Sequence, residues 1–509
     1  MRNSIRLIIT TLLLYSLQSV SVAQNRPFPQ NMAANHYIKP AVNAVNMAYY
    51  ISEFYKAWKT TYLKPAGSTT GGYYIHTQGT SGPSTLTVSE AQGYGMIVFA
   101  LMAGTGTYAD PDAKKYFDGM YAFFRAHPSR YTNDLMSWEV QTNNAGGEAF
   151  VKECTATDGD LDIAYALVLA HYQWGSSGTI NYLAEAKKVI AAVKSYEINS
   201  DNKRVMILDY TDWSSHPDNM QSRTSDWMAG HFRTYYEVSG DVFWNSVAST
   251  VYTLYTQLSS SYSPATGLVP DFINNNPPQP FSFAGKTHYS FDACRFPWRI
   301  AADFVHNNNA SAKTVLNKIT GWLITKTSGD PNTIMAEYQL NGTAIGNYNS
   351  TAFTSPFLTA CMADKSATSQ DFLNKGWNSI KSEKEAYYED SINLLCMLLM
   401  SGNWWRPEQT GIITNGSINK GKEFYFSIAP RALNKTVTVT CKLPHAGTVQ
   451  LSIYALNGKR IHSAGKTRQE CGSYTTAVSL QNASMSKGVY FAVIDFNGTK
   501  HSAAFNILE

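Results

Sequence analysis

From about residue 41 to 402, apolar residues recur every three or four positions, as at Tyr116, Met120, Phe123 and Phe124. That is the period of a helix with one buried face. The pattern predicts about twelve helices, near 41–60, 89–104, 111–126, 160–174, 180–197, 225–238, 241–259, 294–306, 310–327, 350–364, 368–382 and 389–402. Gly-, Asn-, Ser- and Pro-rich stretches separate them, the long ones at 64–85, 127–157, 198–224 and 262–291. The long loops fall mostly in one phase of the alternation. That suits helical hairpins closed into a ring, with long loops on one face building a cleft.

After Trp404-Trp405-Arg406-Pro407 the period changes to two, at 435–441, 448–454 and 488–495. Leu456-Asn457-Gly458 and Phe496-Asn497-Gly498 supply turn signals between these runs. The expected fold is therefore an all-α domain over 24–406, a connecting stretch at 407–429, and a small all-β sandwich over 430–509. The β module shows no acid/base constellation, which argues for a targeting or binding role.

Residues 1–23 read as a secretory signal, with Arg2 and Arg6, an apolar stretch from Leu7 to Leu17, and Val22-Ala23 before Gln24. The apolar run is short for a membrane anchor, and no later stretch approaches spanning length. An exported, secreted or surface-attached protein is expected, as a monomer. Among 509 residues, 44% are hydrophobic and 15% charged, so the chain is globular, not disordered. Aromatics reach 13%, enough to furnish flat apolar platforms for sugar rings beyond a core's needs. Residues 410–509 carry 11 Lys and Arg against 4 Asp and Glu, whereas 1–409 carry 30 against 33. No motif accompanies the basic tail, so nucleic acid is not an expected partner. Six cysteines without a Cys-x-x-Cys pair argue against zinc, and neither metal nor organic cofactor is expected. Export permits disulfides. Cys441 with Cys471 is the first pair to test, and Cys154 and Cys294 are candidate neighbours.

Three carboxylates stand where loops meet apolar helical runs: Glu90, Asp158 and Asp292. Hydrolysis of a glycosidic bond needs one carboxylic acid to protonate the leaving oxygen and one carboxylate to act at the anomeric carbon. Glu90 equally suits an N-terminal capping role, with Gly93 and Gly95 after it allowing close approach of a backbone or a sugar. Asp158, Asp160 and Asp162 have calcium-loop spacing, but no Gly stands at the sixth position and an apolar helix follows. Asp160 and Asp162 are expected to cap or to form ion pairs. Asp292 precedes Arg295 and Arg299 at helical spacing, which serves either an ionised base or a structural ion pair.

Ser89-Glu90-x-x-Gly93-Tyr94-Gly95-Met96 and Ala156-Thr157-Asp158-x-Asp160-x-Asp162-Ile163-Ala164, with Gln173-Trp174-Gly175, resemble the signature stretches of glycoside hydrolase family 8. Gly267-Leu268-Val269-Pro270-Asp271, Asp292-Ala-x-Arg295-x-x-Trp298-Arg299 and Ser401-Gly402-Asn403 extend the likeness over about residues 27–405. The resemblance implies an (α/α)6 barrel and inverting hydrolysis of β-1,4-linked glycans. Carried over by motif, Glu90 resembles the general acid, Asp292 the general base that activates water, Asp158 the residue that binds and distorts the sugar, and Arg295 the arginine that orients the base. An aspartate at 292 favours the cellulase-containing branch. Inversion would need acid and base roughly 6.5–9.5 Å apart, room for a water.

At Asp226 some relatives carry a Tyr that helps hold the water; Asp226 would substitute for it or recognise a cationic amino sugar. Chitosanase is therefore the alternative to endo-β-1,4-glucanase, with lichenase, xylanase and a non-catalytic polysaccharide-binding barrel behind it. Trp138, Trp213, Trp227 and Tyr289 are the candidate sugar platforms, and Tyr94 a further substrate contact. The tail, through Gly447–Lys459 and Lys487-Gly488-Val489-Tyr490-Phe491, is similar to the C-terminal sorting domain of the type IX secretion system, which would make that machinery a partner alongside a polysaccharide substrate. A carbohydrate-binding module is the rival for the tail.

Overall fold

Twelve α-helices stand among the described residues, and all twelve predicted segments become helices. In chain order they are α1 (Ala44–Tyr62), α2 (Ser89–Met102), α3 (Ala113–Ala126), α4 (Thr157–Trp174), α5 (Tyr182–Tyr196), α6 (Ala229–Ser239), α7 (Phe243–Tyr262), α8 (Phe296–Asn307), α9 (Ala310–Lys326), α10 (Thr351–Cys361), α11 (Ala367–Ile380) and α12 (Tyr387–Met400). This is a computed structural model. It describes residues 25–408 apart from 34, 80–81, 144–147, 211–215, 217 and 283–284, and 425–507 apart from 432–435, 444, 456–457, 471 and 480–487. The expected signal segment, Trp213 and Cys471 lie outside the described residues.

The helices divide into two kinds. In α11 the buried residues Ser369, Phe372, Leu373, Gly376, Trp377 and Ile380 form one stripe at three- and four-residue spacing, with polar residues on the remainder. In α2, α4, α10 and α12 nearly every residue is buried. A helix apolar on all sides must have neighbours on all sides. These helices find them: α2 packs on α4, α4 on α6, α6 on α8, α8 on α10, α10 on α12, and α12 on α2. The odd-numbered helices pack outside, α3 against α2, α5 against α4, α7 against α6, α9 against α8 and α11 against α10.

Side-chain caps are commoner at the outer helix starts, though α3 and α7 lack one and the inner α10 has Ser350. Asn43, Asn181, Asn309 and Ser366 cap the outer helices α1, α5, α9 and α11 by accepting a backbone N–H three residues on. The inner helices α2, α4, α6, α8 and α12 begin without a side-chain cap. Their first turns keep unsatisfied N–H groups and a partial positive charge.

The long loops lead into those inner starts and carry short strands: β1 (Leu63–Pro65), β2 (Tyr73–Ile75), β3 (Thr85–Val88), β4 (Glu139–Thr142), β5 (Glu148–Ala149), β6 (Ser222–Arg223), β7 (Phe272–Asn274) and β8 (Gln279–Phe281). They pair antiparallel as β1–β2, β3–β4–β5 and β6–β7–β8. Two- to four-residue strands are too short for a period-two signal, so the sequence pattern shows them only as loop.

The C-terminal region is β-rich: β9 (Tyr425–Arg431), β10 (Thr436–Leu443), β11 (Gly447–Ala455), β12 (Arg460–Ser463), β13 (Thr467–Gln469), β14 (Gly472–Ser479), β15 (Gly488–Phe496) and β16 (Thr499–Ile507). One antiparallel sheet has the order β14–β10–β9 and the other β12–β11–β15–β16, with β13 also on β11. Val437, Val439 and Leu443 from the first share one apolar core with Leu451, Ile453, Ala492 and Ile494 from the second. The turn at Asn497-Gly498 adopts positive φ at both residues, 53° and 87°, the conformation a tight hairpin requires. Cys154, Cys294, Cys361, Cys396 and Cys441 are free thiols. Cys154 and Cys294 are thus unbonded, and the Cys294 thiol donates to the Phe291 carbonyl at 3.0 Å.

Candidate active site

Two glycines bring the first two carboxylates together. A Cβ on Gly159 would lie 2.3 Å from Ser89 Oγ and 2.6 Å from the Ser89 carbonyl carbon, and one on Gly93 would lie 2.5 Å from Asp162 Cβ. Helices α2 and α4 therefore touch backbone to backbone at their starts, and it is a backbone, not a sugar, that Gly93 admits. Glu90 and Asp158, each the second residue of its helix, project from this contact. Asp292 arrives from the loop before α8, at the head of a 3-10 turn over Ala293–Arg295.

Arg295 joins all three. Its Nη1 donates to Glu90 Oε2 at 2.5 Å and to Asp158 Oδ2 at 2.6 Å, and its Nη2 to Asp292 Oδ1 at 3.0 Å. Arg223, on β6, completes the ring of charge, with Nη1 3.3 Å from Asp158 Oδ1 and Nε 3.4 Å from Asp292 Oδ1. Tyr387, opening α12, donates to Glu90 Oε1 at 3.0 Å. Below the site Arg299 forks onto both oxygens of Asp162 at 2.8 and 2.6 Å, and His231 reaches the same carboxylate at 2.9 Å. Asp160 Oδ1 accepts the Met136 N–H at 2.9 Å. Asp162 thus forms an ion pair and Asp160 accepts a backbone N–H; the calcium-loop pattern belongs to structural contacts.

Burial separates the carboxylates. It pushes Glu90 up to about 7, with Arg295 opposing and the charge of Asp158 adding to the rise. Burial also works against the charge on Asp158, but Arg223 and Arg295 outweigh it and hold that carboxyl below the usual range. Glu90 is thus disposed to hold a proton beside an ionised Asp158. Asp271 is pushed up to about 7, by burial and then by the charge of Asp292. Its Oδ1 accepts the Ser290 and Ala293 N–H groups at 3.0 and 2.8 Å, clamping the loop that carries Asp292.

Several expected substrate contacts are placed elsewhere. Trp227 is fully buried, its indole N–H on Ser222 Oγ at 2.9 Å and its ring edge-on to Phe296. Tyr289 is fully buried and stacks on Phe357. Neither offers a ring face to a sugar; both are core aromatics. Tyr94 is fully buried too, and its hydroxyl accepts from Arg295 Nη1 at 3.3 Å, so it supports the arginine instead of touching substrate. Asp226 likewise has no exposed surface: Ser225 Oγ donates to its Oδ1 at 2.8 Å, and burial pushes the group up to about 7. A carboxyl without exposed surface is not placed to meet a cationic sugar, so Asp226 lends no support to a chitosan preference.

Trp138 is the exception. It is 37% exposed, and its carbonyl accepts the Ser89 N–H at 2.9 Å, beside the start of α2. Arg223 and Tyr387 carried no motif that flags them in sequence. Only the pairing of β6 with β7, and the packing of α12 on α2, brings them to the carboxylates.

The family model for glycosyl hydrolases family 8 matches residues 34–402. An endoglucanase from Bacillus sp. (strain KSM-330) is 39% identical over 405 residues, covering 77% of this chain and 84% of that protein. A beta-glucanase from Niallia circulans is 38% identical over 401 residues, covering 75% and 92%. The solved apo structure of a beta-1,3-1,4-glucanase from Paenibacillus sp. X4 superposes with a TM-score of 0.69 at 38% identity, over 75% of this chain and 100% of that one. A structure of Rex8A from Paenibacillus barcinonensis with xylose, 18% identical with a TM-score of 0.59, shares the fold.

Proposed function

The chain belongs to glycosyl hydrolases family 8, and from that premise we propose that it is an endo-acting β-glucan hydrolase that inverts the anomeric centre, with Glu90 as acid and Asp292 as base. The observation that carries the assignment is the single guanidinium of Arg295 on Glu90, Asp158 and Asp292 together. Glu90 and Asp292 sit on different nitrogens of that group. One cation thus gathers the proposed acid and base at one place, and inversion asks in addition that a water fit between them.

In the step, Glu90 gives its proton to the glycosidic oxygen as the bond from that oxygen to the anomeric carbon breaks. A water on the opposite face forms the new carbon–oxygen bond and passes its proton to Asp292. Asp158, kept ionised by two arginines, grips the sugar at the cleavage point. The six inner and six outer helices support an (α/α)6 barrel, and the names of the relatives at 38–39% identity support mixed-linkage or β-1,4-glucan as substrate. The (α/α)6 domain is taken as 24–406. The C-terminal region is read as a sorting domain for type IX secretion, and the protein as exported; deletion of 430–509 should then retain the enzyme in the cell.

Barley mixed-linkage glucan, carboxymethyl cellulose, xylan and chitosan should be compared by reducing-sugar release, with viscosity followed in parallel. Rapid loss of viscosity on the glucans, α-anomeric product first by NMR, and abolition by Glu90→Gln are expected. Initial β-anomeric product, or faster release from chitosan, overturns the proposal.

A further inference from the structure

Arg223 stands outside the stretches that carry the family resemblance, yet it reaches the centre of the site. It and Arg295 divide the two carboxylates unequally. On Asp158 they take one oxygen each, Arg223 near Oδ1 at 3.3 Å and Arg295 on Oδ2 at 2.6 Å. On Asp292 both fall on the same oxygen, Oδ1, at 3.4 and 3.0 Å. No described residue donates to Asp292 Oδ2, and the Asp292 side chain is 32% exposed.

We propose that Arg223 is a second positioning residue for the base: together with Arg295 it pins Asp292 Oδ1 from two directions, and so leaves Oδ2 as the oxygen that takes the proton of the attacking water. This rests on Asp292 being the base. An aspartate carboxylate turns easily about its last torsion, whose well is broad. One donor on one oxygen leaves that rotation open, whereas a second cation against the same oxygen, from a different element, opposes it: Arg295 holds Oδ1 by a hydrogen bond and Arg223 by an ion pair at 3.4 Å.

The arrangement is built into the backbone around Asp271. The Asp271 carbonyl accepts the Thr224 N–H at 3.0 Å, tying down the residue after Arg223. Its side chain accepts Ser290 and Ala293 N–H groups on either side of Asp292. Register in the small sheet sets Arg223 opposite Phe272, whose ring lies 5.4 Å from the guanidinium carbon. Both ends of the Arg223–Asp292 contact therefore hang from one residue.

The test compares Arg223→Gln, Arg223→Lys and Asp292→Asn on barley mixed-linkage glucan. Binding of cellopentaose is measured by calorimetry with each Arg223 change placed in the Glu90→Gln background, so that the sugar survives. Loss of positioning at a reacting group costs about 100-fold, and that fall in kcat is expected for Arg223→Gln. The cellopentaose Kd should stay within about twofold, and Arg223→Lys should recover part of kcat by restoring the charge. Full activity in Asp292→Asn sinks the base assignment itself. An inactive Asp292→Asn beside an Arg223→Gln within about threefold of wild type sinks only the role of Arg223. Weakened cellopentaose binding in step with kcat, without recovery by lysine, makes Arg223 a sugar-binding residue and also overturns the inference. If Arg223→Gln does not fold, Arg223→Lys is judged by the same split between kcat and Kd.

Discussion

Replacing Tyr387 by Phe should move the alkaline limb of activity to higher pH. As the proposed acid Glu90 must carry a proton to act, so kcat/KM should fall as pH rises through about 7, to which burial pushes this carboxyl. The Tyr387 hydroxyl donates to Glu90 Oε1 at 3.0 Å and favours the ionised form. A hydrogen bond to a charged group contributes about 1.5–3 kcal/mol, and one between neutral groups about 0.5–1.5. The difference, about 1–1.5 kcal/mol, is what the phenol adds to ionisation, and one pKa unit corresponds to about 1.4 kcal/mol. Deleting the hydroxyl should therefore raise the limb by about one unit, to near pH 8, and leave Oε1 without its donor, which acts in the same direction. The assay is kcat/KM on mixed-linkage glucan from about pH 5 to 10. The ratio of Tyr387→Phe to wild type should climb about tenfold between roughly pH 6 and 9, since each unit is tenfold in protonated acid. A limb that stays in place or moves to lower pH refutes the assignment of Glu90 as the titrating acid under Tyr387.

Trp138→Ala removes an exposed ring at the margin of the site; KM should rise about tenfold, in line with about 1.4 kcal/mol of lost aromatic contact, with kcat nearly kept and melting temperature unmoved, and a kcat-only loss contradicts a platform role. Gly159→Ala drives a methyl into Ser89; overpacking of about 1–3 kcal/mol should lower the melting temperature by several degrees and cut kcat by spreading Glu90 from Asp158, whereas a wild-type melt shows that α2 and α4 have slack. Glu197 and Asp160 are buried carboxyls, and burial, then the charge of Asp160, pushes Glu197 well above its ordinary value. A raised acid contributes stability that is complete below its unfolded value of 4.5 and is lost as pH rises toward the folded one. Glu197→Gln cannot ionise, so its melting temperature relative to wild type should climb from about pH 5 to pH 9 by circular dichroism; a constant difference counts against a raised Glu197.

Much of this was legible in the order of residues. The helices follow from local apolar runs and from 3.6-residue periodicity where one face is buried, because those residues are neighbours in the chain and need no partner to be recognised. Glu90, Asp158, Asp292 and Arg295 stood in motifs, and the structure brings the four together. The aromatic platforms were mostly misplaced. Whether a Trp faces water or core depends on what packs against it, and Trp227 and Tyr289 met Phe296 and Phe357. Asp226 was misjudged for the same reason, since exposure belongs to the assembled loops and not to a position in the chain.

The sequence alone therefore determined the helical grammar and the change to strands after residue 407, and it singled out the candidate carboxylates, all from short windows. Tertiary structure alone decided which groups surround those carboxylates. Arg223 comes from 69 residues before Asp292, and Tyr387 from 297 after Glu90. Their effect depends on distances of about 3 Å and on exclusion of water, and neither quantity exists until the inner helices close upon one another.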